Sequence, residues 1–173
     1  TFTSSGTFTV TAGGSVEALV VAGGAGGRIA LVVRNPGADF LLSTGPVLAL
    51  GGGAPAGAGT IYRQCASDQA GRGTALIANN SSGYTDVSPG PPNVMNEVNF
   101  ASFFITNSAT LRLTNNYTIG DIFLQSAGAW LDLGSNTLTV RSRAHALGVG
   151  VVTNYGAIVW WPDIPKGVVF STW

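Results

Sequence analysis

Apolar and polar residues alternate along most of the chain in short runs, and Gly, Pro, Asn and Ser separate the runs. "GTFTVTAGG" alternates Phe8 and Val10 with threonines. "VEALVV" and "RIALVV" are apolar runs on either side of "AGGAGG". Alternation with period two predicts half-buried strands, and near-continuous apolar runs predict strands covered on both faces. "NPGADFLLSTGP" reads as turn, strand, turn, and "VLALGGG" as a further strand. Weaker strand signals lie at residues 61–63 and 74–78. No apolar i, i+3, i+4, i+7 series persists for three turns with caps, so no helix is predicted. The best boundary is "SPGPPN", because Pro89, Pro91 and Pro92 stop any ladder. It divides the chain into a glycine-rich β region, 1–90, and a second region, 91–173, with one continuous domain as the variant of that division.

The second region repeats. "SATLRLTNN" at 108–116 and "GAWLDLGSN" at 128–136 share Ala-x-Leu-x-Leu-x-x-Asn, offset by 20 residues. "GAIVWW" at 156–161 reads as a third copy, offset by 28. The copies align Ala109, Ala129 and Ala157, then Leu111, Leu131 and Val159, then Leu113, Leu133 and Trp161. Between them, "YTIGDIFL", "NTLTV" and "GVGVVTNYG" read as second strands. Such a period is the sequence form of a solenoid, in which each coil lies about 4.8 Å from the last. The pattern therefore predicts an all-β chain with a short right-handed β-solenoid, β-helix-like, in the C-terminal half. A β-sandwich or jelly roll is the alternative.

In the solenoid, the aligned leucines, Val159 and Trp161 face inward. Thr110, Trp130 and Ile158 line one outer column, and Arg112, Asp132 and Trp160 the next. Arg112 and Asp132 become neighbours across one rung, an ion pair worth a few tenths of a kcal/mol if exposed. Asn116 and Asn136 align at a turn, where amides bond along the stack. Trp130, Ile158 and Trp160 form an outer apolar patch that needs a cover. With Tyr155 they are the candidate contacts for a partner or a glycan.

The segment "ATLRLTNNYTIGDIFLQSAGAWLDLGSNTLTV", leading into "GVVTNYGAIVW", resembles the repeats of secreted bacterial β-solenoid proteins. These include autotransporter passengers and filamentous-haemagglutinin-like surface proteins. The resemblance covers roughly residues 97–161. It implies export and a structural or adhesive role. It implies no catalytic residues, since the matching positions are core leucines and turn asparagines.

Composition narrows the function classes. Charged residues are 9% of the chain, against about 25% for an ordinary domain. Hydrophobic residues are 45%, enough to fold. A net charge of zero argues against a nucleic-acid partner, which requires a surplus of Lys and Arg. Few charges also mean little repulsion between copies. No run of 18 apolar residues occurs; residues 18–33 come nearest and are broken by glycines and Arg28, so no membrane-spanning helix is predicted. The start at Thr1 reads as that of a mature or excised piece, any signal peptide already removed. Asn79, Asn80 and Asn116 head glycosylation triplets.

Candidate chemistry is sparse. Cys65 is the single cysteine, so no internal disulfide forms, and it reads as a small buried thiol. His145 is the single histidine; no nucleophile-elbow motif accompanies it, and one His with one Cys cannot make the usual zinc site. Asp121 and Asp132 could lie near each other on adjacent strands, as a paired-carboxylate site would require. "GGGAPA" fits a dinucleotide fingerprint in spacing only, since Pro55 and more glycines follow instead of a helix. No enzyme activity and no cofactor are predicted. The expected function is that of a secreted structural subunit, extracellular or at the cell surface: filament, sheath, surface layer or adhesin. Copies of the chain are its main partners and surface polysaccharide a second. Joints are expected at strand edges and at the terminal segments carrying Phe2, Phe8, Val10, Val168, Phe170 and Trp173. The alternative is a carbohydrate-binding or polysaccharide-cleaving β-helix module, such as that of a phage tail spike.

Overall fold

A computed structural model of the chain describes residues 16–21, 27–37, 49–50, 56–69, 71–79, 84–87 and 100–161. Among them the structure is all-β, with no helix. The apolar runs form β1 (Val16–Val21) and β2 (Arg28–Val33), paired antiparallel. The weaker signals are strands too, β3 (Thr60–Gln64) and β4 (Thr74–Asn79). β3 runs parallel to β2 and antiparallel to β4. Tyr62 fastens the β3–β4 connection. Its hydroxyl donates to Gln64 Oε1 at 2.7 Å and accepts from Gly73 N–H at 3.1 Å.

From β4 onward the ladders become parallel. The remaining strands are β5 (Tyr84–Val87), β6 (Ser102–Asn107), β7 (Thr110–Leu113), β8 (Tyr117–Ile119) and β9 (Asp121–Leu124). They continue with β10 (Trp130–Asp132), β11 (Thr137–Val140), β12 (Leu147–Gly148), β13 (Val151–Thr153) and β14 (Ala157–Trp160). The first sheet has the order β1-β2-β3-β4-β6-β9-β12, the second β13-β10-β7-β5, and the third β14-β11-β8. From β6 the chain visits the first, second and third sheets in turn, three times over. Each return adds one strand to each sheet, and we call such a set of three strands a rung. Parallel neighbours cannot be joined by a hairpin. Here the two strands in the other sheets supply the crossover. The ladders β4–β6 and β5–β7 tie residues before position 90 to residues after it.

Inward side chains fall into columns. Leu111, Leu131 and Val152 are direct partners. So are Tyr117, Leu138 and Ile158, and Ile119, Val140 and Trp160. On the first sheet Phe103 meets Ile122 and Ile105 meets Leu124. Ile122, Leu124, Leu131 and Val140 are completely buried, each worth about 1.5–3 kcal/mol relative to exposure. Ala109 and Ala129 fill one corner. Gly150 takes the third place there, because a Cβ would lie 2.4 Å from the Ala129 carbonyl oxygen.

The first two copies of the repeat pair as predicted, with Leu111 opposite Leu131. The third does not. Val151, Val152 and Thr153 of β13 lie against Trp130, Leu131 and Asp132, while "GAIVW" lies on β11 in the third sheet. Faces are consequently exchanged. Ile158 and Trp160 pack against the core, and Val159 and Trp161 are exposed. Likewise "GVGVVTNYG" contains the third copy of the first strand, not a second strand. Period-two alternation is alike on every strand, so a short apolar match cannot say which sheet it belongs to. An odd shift in register reverses every side chain.

Candidate functional site

Trp130 opens β10 with 43% of its surface exposed. Thr110 and Val151 flank it across the ladder. Ile158 and Trp160 belong to a different sheet and point inward, so the predicted patch of Trp130, Ile158 and Trp160 does not form. Tyr155 lies in the β13–β14 turn, fully exposed. The predicted termini with Phe2, Phe8, Val10, Val168, Phe170 and Trp173 lie outside the described residues, as does Asn80. Asn79 ends β4, opposite Asn107.

Asp132 and Arg112 are register partners, as predicted. The carboxylate, placed in an outer column by the sequence, is buried. Its Oδ1 accepts hydrogen bonds from Gly134 N–H at 2.9 Å and from the Asn154 side-chain amide. Asn154 takes a left-handed backbone, φ 71°, which Asn tolerates better than most residues. Turn amides bond along the stack. Asn136 Nδ2 donates to the Leu113 carbonyl at 2.9 Å, and exposed Asn116 accepts from Thr137 N–H at 2.7 Å.

Asp121 and Asp132 occupy different sheets and have separate partners, so the paired-carboxylate arrangement is not made. Leu147 pairs with Phe123, which brings His145, two residues earlier, beside Asp121. His145 Nδ1 lies 2.5 Å from Asp121 Oδ2, while Asp121 Oδ1 accepts Ile122 N–H at 2.9 Å. A carboxylate only accepts, which places the imidazole proton on Nδ1. The ring stacks on Phe123 at 4.8 Å and meets the edge of Phe104 at 5.1 Å. Asp121 is buried and the imidazole half-buried. The pair fastens the irregular 141–146 segment onto the outer face of the first sheet.

A third cluster lies at the corner between the third and first sheets. The Arg141 guanidinium sits between two rings, 4.5 Å from Phe100 and 4.5 Å from Trp161. Arg72 covers Phe100 at 5.2 Å, and Arg143 covers Trp160 at 5.0 Å. The backbone sets this alignment: Gly120 N–H bonds Ala101, Arg141 N–H bonds Ile119 and Trp161 N–H bonds Val140. Gly120 occupies the rung between Phe100 and Arg141. A Cβ there would stand 2.0 Å from the Phe100 carbonyl oxygen. No side chain therefore separates the guanidinium from the ring.

Elsewhere, Cys65 is half-buried, more open than predicted. It lines a shallow recess with Arg34, Gln64 and Asp68, and its N–H donates to Asp68 Oδ2 at 2.8 Å. Among the described residues, no three His, Cys, Asp or Glu side chains are grouped to hold a metal ion. Comparison of the chain with protein-family models, with curated proteins and with solved structures found no match in any of the three.

Proposed function

We propose that the chain is a short right-handed β-solenoid that serves as the structural subunit of a cell-surface or extracellular assembly, its copies joined through the strand edges of an end rung. The observation that carries this is the state of β12, β13 and β14. Among the described residues each is the last strand of its sheet. Val152 continues the column of Leu111 and Leu131, yet is 38% exposed where Leu131 is 0%. An edge with unpaired backbone groups and uncovered apolar side chains is a template for another chain. The low charge of the surface leaves little to repel a second copy.

Parallel, in-register ladders support a solenoid over a sandwich or jelly roll, whose sheets are antiparallel. Right-handedness is the usual sense of parallel crossovers. Sedimentation across a concentration series, with negative-stain imaging, tests assembly. The full chain is expected to grow into linear oligomers as concentration rises. Val152→Lys is expected to hold it as a monomer with an unchanged far-UV spectrum. A full chain that stays monomeric at high concentration would overturn the proposal.

A further inference from the structure

The outward face of β10 is used neither by the core nor by the proposed joint. Trp130 and Asp132 alternate with buried Leu131, so both project from that face, about 7 Å apart along the strand. Thr110 and Val151 continue the Trp130 row on the neighbouring strands. The indole is 43% exposed and Val151 39%, whereas Asp132 and Thr110 are no more than 9% exposed. Both polar side chains keep an open atom. Gly134 N–H and the Asn154 amide bond Asp132 Oδ1, which fixes the carboxylate. Among the described residues, nothing bonds Asp132 Oδ2 or the Thr110 hydroxyl. The side-chain atom sealed without a partner there is Arg63 Nε, so these two oxygens reach solvent. An apolar ring beside two open hydrogen-bonding groups is the make-up of a small ligand site.

We infer that this face binds a neutral polysaccharide. The C–H side of one pyranose ring packs on the Trp130 indole, a surface suited to a ligand with an apolar side and a wet rim. One hydroxyl of that ring donates to Asp132 Oδ2, a charge-assisted bond. Another pairs with the Thr110 hydroxyl, which can donate or accept. The next ring lies over Val151, because the row crosses strands about 4.8 Å apart. The open carboxylate oxygen only accepts, which selects a hydroxyl donor over an anion. Arg112 already stands opposite Asp132 on the ladder and offsets its charge, which selects a neutral ligand over a cation. The joint uses backbone edges and inward Val152, so this outward row stays open whether or not copies assemble.

The test is titration calorimetry of the full chain against dextran, laminarin, mannan and xyloglucan, with polygalacturonate and a lysine-rich peptide for comparison. Saturable binding to at least one of the four neutral polymers is expected. Trp130→Ser is expected to weaken it at least about tenfold, since the stacking surface is lost. Asp132→Asn keeps the shape and one acceptor but removes the open oxygen, and should cost about tenfold, the scale of a hydrogen bond to a charged group. Thr110→Val, expected to cost about threefold, provides the same readout if either variant fails to fold. Trp161→Ser removes an indole that is 52% exposed but lies under the Arg141 guanidinium, and should change affinity less than about twofold. Val152→Lys should bind as the full chain does, which separates this site from the joint. Binding to none of the neutral polymers, unchanged affinity in the Trp130 and Asp132 variants, or equal affinity for polygalacturonate or the peptide would overturn the inference.

Discussion

The rung formed by β9, β10 and β11 and the rung formed by β12, β13 and β14 occupy the same inward positions and differ in what lies beyond them. Leu131, Leu138 and Val140 each have a strand on either side and are buried almost completely. Val152, Ile158 and Trp160 have a described neighbour on one side and remain partly exposed. The apolar character is similar, so burial here is conferred by the neighbours and not by the residue. The composition follows that difference. The middle rung carries leucine at 131, 133 and 138. The end rung has Val152, Asn154 and Ile158 in those places, with Gly148 and Gly150 nearby.

The contrast can be broken by substitution, with urea unfolding as the readout. Leu131→Ala is expected to cost about 3–5 kcal/mol, because the stack leaves little room to collapse. Val152→Ala should cost about 1 kcal/mol or less, the site being open to water. Similar losses at the two positions would refute the idea that neighbours decide burial. Gly150→Val should destabilise by about 2–3 kcal/mol, since its side chain meets the Ala129 backbone. Asp132→Ala removes the acceptor shared by Gly134 and Asn154 and should cost about 1–3 kcal/mol. At the small end, Trp130→Ser should change stability by about 0.5 kcal/mol at most if the exposed indole packs on nothing essential. A loss above about 2 kcal/mol would show that Trp130 has a cover.

The contrast also explains what could be read in advance. Leu111 and Leu131 announced their pairing because both sit on rungs flanked on both sides, where leucine is retained at each inward place. The end rung has a described neighbour on one side only, and Val152, Asn154 and Ile158 stand there in place of leucine. "GAIVWW" therefore resembled the motif more closely than the true third copy around Val152. The outward chemistry was hidden for another reason. His145 reaches Asp121 only because the irregular 141–146 segment precedes β12, and no periodicity reports that length. Arg72, Phe100, Arg141 and Trp161 meet at a corner, where loops of unequal length precede each strand. Their spacing in the chain bears no regular relation to their spacing in the fold.

The Asn154–Asp132 contact has a further consequence for how the chain finds its native order. Strands of similar apolarity stacked in parallel are prone to docking out of step, and a one-residue slip of β13 on β10 would turn Val152 outward. Such a slip would also pull the Asn154 amide away from a buried carboxylate, leaving Asp132 with the Gly134 N–H as its remaining described hydrogen bond. A polar contact at the end of a leucine column thus favours the aligned register of β13 over a slipped one.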